Sequence, residues 1–392
     1  MDQITEPPAS FAGSAAVFPP AEFRVRAATL QARIRAEGAD ALLLTGPENI
    51  FWTSGRQTAG YFAFQALLLP AEGAPVLLVR QLEETGARSD IWFPDIRIWQ
   101  DGQDPVAELA RLVLGQGVRR LAVERSGWFV SPQMMVSIET ALSDVVLLDG
   151  SGWTERLRVV KSAREQDAIR QAARYAEAGM AAALEACRAG ASENEVAAAM
   201  TGAAILAGSE AMAMEPLVSS GPRSGIPHAT WRRRRIEPGD GVFLELAASH
   251  DRYHAALMRA VWIGTPPEEA QRMMDTSLSA LDAALGAMRP GQPCAAAHAA
   301  AQKIIDAAGF TTAFRKRAGY SMGVAFAPDW GEGAILSIFT GIETLLEPGM
   351  VFHLPITLRD YGRFTVGVSE TVIVTEAGAQ PLSTLPRQIT IR

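Results

Sequence analysis

The spacing of hydrophobic and polar positions changes along this chain, and the change divides it. Over residues 20–37 apolar side chains recur at helical spacing (Phe23, Val25, Ala28, Leu30, Ile34) behind a proline start, which predicts a helix. Residues 41–45 form a short apolar strand closed by Gly46-Pro47-Glu48-Asn49. Residues 65–69 and 75–80 read as strands joined by the turn Pro70-Ala71-Glu72-Gly73. A helix over 106–115, a strand over 120–123 and a helix near 132–142 continue the alternation, and 145–152 reads as the last strand and exit. Such alternation predicts an α/β domain, a sheet with helical cover.

Past residue 154 the pattern becomes helices first and strands later. Ser162 with Glu165 is a capping-box pair opening a long helix to about residue 190, and Ser192 with Glu195 repeats it for a helix through 207. A hairpin follows: the turn Pro238-Gly239-Asp240, the apolar run Val242-Phe243-Leu244 carrying Glu245, and an alternating return run over 252–263. Two Ala-rich helices, 267–288 and 294–309, precede glycine-punctuated strands over 317–326, 349–355 and 366–375. The second half is therefore α+β, its sheet assembled from strands distant in sequence. The domains expected are residues 1–155 and 156–392, with no internal repeat. Residues 1–20, rich in Pro, Ala and Ser, are expected to be a loosely ordered arm.

Composition narrows the function classes. A chain of 392 residues is long enough for two cores, and 48% hydrophobic with 20% charged residues is ordinary for a globular protein. A net charge of -7 argues against a nucleic-acid surface. No apolar run reaches the ~18 residues of a membrane span, and the acidic, Pro-rich start is unlike a signal peptide. Cys187 and Cys294 lie far apart in helical contexts, so no disulfide framework is expected and a cytoplasmic location is.

The candidate chemistry is a set of polar groups in apolar strands, where each needs a reason to be there. Glu245 shares a strand face with Phe243, suggesting a pocket wall, although a lone strand glutamate is ordinarily on a solvent face. Glu370, in Val368-Ser369-Glu370-Thr371-Val372, repeats the pattern. His228, in Ile226-Pro227-His228-Ala229, is either a surface loop histidine or a proton carrier. Together these three make an acid/base or nucleophilic constellation. His254 and His353 are strand histidines, either satisfied in the core or lining a site. Tyr320, between Gly319 and Gly323, lies where backbone can approach a ligand, and Trp330 belongs to a turn or a pocket edge.

These landmarks together resemble the creatinase/aminopeptidase P/prolidase superfamily. They are the Pro227-His228 loop, the Pro238-Gly239-Asp240 turn before a carboxylate strand, the glycine-flanked Tyr320 segment, Gly349-Met350-Val351-Phe352, and the Glu370 strand ending Val374-Thr375-Glu376-Ala377-Gly378. The resemblance covers essentially the whole chain. It implies a pita-bread C-terminal domain preceded by a creatinase/prolidase-type α/β N-terminal domain. Metallopeptidase members use two Asp, one His and two Glu as ligands. At the matching positions this chain has Glu245, Ala256, Tyr320 and Pro355, with Glu370 as the surviving glutamate. The resemblance therefore implies no metal and no other cofactor.

Within the superfamily the phrases His228-Ala229-Thr230-Trp231, Leu244-Glu245-Leu246-Ala247, Arg252-Tyr253-His254 and Pro328-Asp329-Trp330-Gly331-Glu332 are similar to the metal-free, ectoine hydrolase-like branch. Creatinase has a glutamate where this chain has Met258. The activity implied is hydrolysis of a C–N bond in a small zwitterionic cyclic amidine. In that reading Glu245 is nucleophile or base, His228 the proton carrier and Glu370 the partner of the amidinium N–H groups. Tyr320, His254, His353 and Trp330 line the site, and Trp52, Tyr61 and Arg56 close over it from a homodimer partner. The rivals are a creatinase-type hydrolase of another zwitterion and a catalytically inactive binding module. Neither a nucleic-acid nor a membrane partner is expected.

Overall fold

A computed structural model describes residues 13–392. The arm expected over residues 1–20 thus lies outside the described residues up to residue 12. The described remainder is tied down: Gly13 and Ala15 N–H groups donate to the Arg88 and Ser89 carbonyls at 3.0 and 2.9 Å, and Phe18 is buried. The chain divides into two compact units, Met1–Leu157 and Arg158–Arg392.

In the first unit, helix α1 (Pro20–Ala36) leads into β1 (Ala41–Leu44), and α2 (Pro47–Ser54) follows directly. The sequence pattern does not announce α2, because seven of its eight residues are buried and no amphipathic stripe remains. Its ends are nonetheless orthodox, with proline in the first turn and Gly55 at φ 88° closing it. Then come β2 (Ala66–Pro70), β3 (Val76–Arg80), α3 (Glu84–Asp90), β4 (Ile96–Trp99), α4 (Pro105–Gly115), β5 (Arg120–Val123), α5 (Pro132–Ala141), β6 (Val146–Asp149) and α6 (Trp153–Arg158). The strands form one mixed sheet, ordered β4-β3-β2-β1-β5-β6.

The second unit opens with α7 (Ala163–Ala186) and α8 (Glu193–Ala207), each begun by a complete capping box, at Ser162/Glu165 and Ser192/Glu195. Strands β7 (Leu217–Ser220), β8 (Gly241–His250) and β9 (Tyr253–Trp262) follow, then α9 (Glu268–Ala287) and α10 (Cys294–Ala307). The rest is β10 (Gly319–Ser321), β11 (Ser337–Ile338), β12 (Val351–Asp360), β13 (Phe364–Thr375), β14 (Gly378–Pro381) and β15 (Ile389–Ile391). Two sheets result, β15-β9-β8-β7 and β11-β10-β12-β13-β14.

Strand periodicity decides what each face carries. On β8, Val242, Leu244, Leu246 and Ala248 pack into a core with α7 and α8. On β12 and β13, Phe352, Leu354, Ile356 and Leu358, with Val366, Val368, Val372 and Val374, pack into a core with α9 and α10. Phe243 and Glu245 on β8, and Pro355, Thr357 and Arg359 on β12, take the opposite faces and line one cavity. The sheets are pinned where Thr371 Oγ1 both accepts from Ala256 N–H and donates to Ala256 O, each at 2.9 Å.

Candidate active site

The cavity measures about 370 Å³ and belongs wholly to the second unit. Glu245 enters it from the middle of β8, with Leu217 of β7 on one side and Met258 of β9 on the other in register. The glutamate and the methionine are thus cross-strand neighbours on one wall. Glu245 is 7% exposed, and its carboxylate makes no hydrogen bond among the described residues. Burial pushes its pKa up to about 7, although the Lys316 and Arg359 cations act to lower it. A carboxylate without hydrogen-bond donors, aimed into a cavity, keeps its lone pairs for a ligand.

His228 reaches the lining from the loop after β7, exposed at the rim. Its φ of 54° is left-handed, uncommon for a residue other than glycine. The stems of this loop are held by Glu193, fully buried at the start of α8. It accepts from Ser220 N–H and Oγ at 2.8 Å each and from Arg232 N–H at 2.7 Å, and it ion-pairs with Arg223. Both stems of the loop are therefore held by one carboxylate. At the loop's middle, Gly225 lies flush on the β12–β13 turn, where an added Cβ would stand 2.5 Å from Arg363 N.

Tyr320, on β10, faces the cavity from a fixed position. Its hydroxyl accepts from Trp330 Nε1 at 3.0 Å and pairs with His353 Nδ1 at 2.8 Å, and the Arg317 guanidinium covers its ring at 4.7 Å. Burial, reinforced by Glu245, raises the phenol pKa and keeps it protonated. Burial lowers His353 to about 3, so it is a neutral ring behind the tyrosine. Trp330 and His353 support Tyr320 and are themselves outside the lining.

Other expected site residues stand elsewhere. Glu370 shares its face of β13 with Val366, Val368, Val372 and Val374, opposite to the cavity, and lies in register with Leu354 of the core. There it ion-pairs with Arg259 and Arg387 at 3.1 Å each. The residue of β13 paired with Pro355 is Ser369. His254 is fully buried, donating from Nδ1 to Arg252 O at 2.9 Å and accepting from Ala213 N–H at 3.3 Å. Burial depresses it to about 4, so it is a neutral structural histidine. In the first unit Arg56 is buried in ion pairs with Asp90, at 2.7 Å, and Glu83. Trp52 packs under Arg26, and Tyr61 meets Phe129 edge-on at 5.7 Å. None of these three is among the residues lining the cavity.

The sequence reading missed the cations. Arg315, Lys316, Arg317 and Arg359 all line the cavity. The run Arg315-Lys316-Arg317 before β10 was the available signal, but charge runs ordinarily mark a solvated surface.

Two α/β halves around one cleft, preceded in sequence by a separate α/β domain, are the architecture of the pita-bread class. Residues 167–376 match Metallopeptidase family M24 and residues 26–160 the Creatinase/Prolidase N-terminal domain, and the chain belongs to that family of hydrolases. It is similar to ectoine hydrolase of Halomonas elongata, 27% identical over 95% of this chain and 97% of that enzyme. Among solved structures it resembles dipeptidase PepE from Mycobacterium ulcerans (TM-score 0.81, 26% identity, 95% and 99% of the two chains). A prolidase from Thermococcus sibiricus shares the fold (TM-score 0.86, 23% identity, 94% and 99%).

The family name implies a metal, and the donor set here does not fit one. Among the described residues no three His, Cys, Asp or Glu side chains stand together as a metal site. Ala256 and Pro355 have no donor to give, Tyr320 is a protonated phenol, and Glu370 faces away. Glu245 is the one carboxylate on the lining, and the surrounding cations oppose a divalent ion.

Proposed function

We propose that this hydrolase opens a C–N bond in a small cyclic amidine without a metal, and that the substrate is ectoine, converted to an N-acetyl-2,4-diaminobutyrate. The observation that carries the reading is Glu245, a buried carboxylate with no hydrogen-bond donor of its own, on a cavity whose lining includes His228. The whole-chain similarity to an enzyme named ectoine hydrolase supports it. An amidinium carbon is electrophilic but resonance-stabilised. Ionised Glu245 attacks it, or takes a proton from the water that does, and His228 delivers a proton to the departing ring nitrogen. One water is added and one ring C–N bond breaks. Glu370 has no part in this. A homodimer belongs to the same proposal.

The test is mass spectrometry of ectoine incubated with chelator-stripped protein, with a product one water heavier expected. Glu245→Gln should abolish turnover and leave ligand binding largely intact. Activity lost on chelation and restored by manganese, or near-normal turnover by Glu245→Gln, overturns the reading.

A further inference from the structure

The cavity holds more positive charge than that chemistry uses. Two of its four cations are occupied in shaping the wall. Arg317 donates to Gly333 O at 2.9 Å and Ser337 Oγ at 3.0 Å beneath the Tyr320 ring. Arg315, largely exposed, donates to Thr312 O at 2.9 Å and stacks on Tyr361 at 4.2 Å. Lys316 and Arg359 are held chiefly by hydroxyls, and Arg359 also lies over the Tyr361 ring at 5.8 Å. Lys316 Nζ donates to Thr357 Oγ1 at 2.6 Å, and Arg359 Nε donates to Thr365 Oγ1 at 2.8 Å. Among the described residues neither is within ion-pair distance of a carboxylate. Thr357 and Arg359 are two apart on β12 and share its cavity face.

Two cations that repel one another, both on the lining and both lacking a carboxylate at hydrogen-bond distance, form a site shaped for an anion. Hydroxyls orient them, and these cannot neutralise them. Glu245 attracts both through space yet bonds neither. We infer that Lys316, oriented by Thr357, and Arg359, oriented by Thr365, seat the carboxylate of the substrate. The inference rests on the proposed use of this cavity, and it names the end of the substrate that the reaction leaves unchanged. A ring bearing a carboxylate and a cationic amidine then fits with opposite charges at opposite walls, the carboxylate on Lys316 and Arg359 and the amidinium carbon at Glu245. A carboxyl-free cation meets two repelling groups against one attracting group, so the seat sets specificity for carboxylate-bearing rings.

Two probes of one ring size test this, L-pipecolate and piperidine, the second lacking the carboxylate. L-pipecolate should raise the unfolding temperature of the wild-type protein, and piperidine should not. Lys316→Met and Arg359→Met should each weaken L-pipecolate about tenfold or more, and Lys316→Arg should restore most of the affinity. Equal stabilisation by both probes, no stabilisation by L-pipecolate, or unchanged affinity in a folded Lys316→Met protein overturns the seat. The wild-type comparison decides the matter even if a variant fails to fold. Lys316-dependent binding of L-pipecolate without any product from ectoine keeps the seat and overturns the amidine reading. Turnover of ectoine with Lys316-independent binding does the reverse.

Discussion

Glu245 titrates near neutrality because burial removes water from a carboxylate that no N–H group of the protein replaces. In the proposed mechanism its working form is the ionised one, so kcat/KM for ectoine should rise with pH through an inflection near 7. Lys316 and Arg359 favour the ionised form, so Lys316→Met should move that inflection upward, and a profile unmoved by the substitution counts against the assignment. The same group links stability to pH. Its pKa is raised on folding, so the folded state holds the proton in the window from about 4.5 to about 7, where the unfolded chain has released it. The carboxyl's contribution is full below that window and lost as pH rises through it. Glu245→Gln does not titrate, so its stability relative to wild type should improve between pH 4 and pH 7.5. Urea unfolding at the two pH values measures it, and a difference independent of pH would contradict the burial argument.

The elements that matter most at the site are a hairpin and a loop. β8 and β9 set Glu245 beside Met258 by register alone, so one wall needs no further support. The His228 loop has no regular pairing of its own and depends on the Glu193 clamp and on Gly225. In a Gly225→Ala variant, Cβ would stand 2.5 Å from Arg363 N, 2.7 Å from Asp360 O and 2.8 Å from Gly362 N, all backbone atoms that cannot swing aside. The loop must lift off the β12–β13 turn. A loss of about 1–3 kcal/mol in unfolding free energy is expected, with a drop in kcat/KM larger than that destabilisation explains. Denaturant titration alongside kinetics separates the two, and full activity in the variant would show that His228 needs no such placement.

For the whole molecule, light scattering should give twice the mass of the chain if the proposed homodimer forms. Mixing Glu245→Gln chains with Tyr61→Ala chains should then restore activity if a first unit serves the cavity of a second copy, and mixtures as inactive as their parents would exclude that service. Much of the fold was legible from the linear pattern. The capping boxes at Ser162 and Ser192 located α7 and α8 because capping is decided within four residues. The first-unit strands β1, β2, β3 and β5 were legible from apolar runs, whereas α2 was not, since an element buried all round has no periodicity to show.

The sequence by itself made Glu245 a candidate for a pocket wall, since it shares a strand parity with Phe243, and left the solvent face as the alternative. Period two could also have placed Glu370 among the valines of its own parity, and it was composition rather than parity that made it look catalytic. Only the tertiary structure decided which strand faces share the cavity, and so which polar groups meet. Lys316 and Arg359 lie 43 residues apart in number (316 to 359), on either side of β12's entry, and nothing local marks them as a pair. Their convergence on Glu245 depends on the β10–β12 and β12–β13 registers and on the packing of two sheets. Long-range pairing of that kind is fixed by the summed burial of many side chains, and no single stretch of sequence contains it.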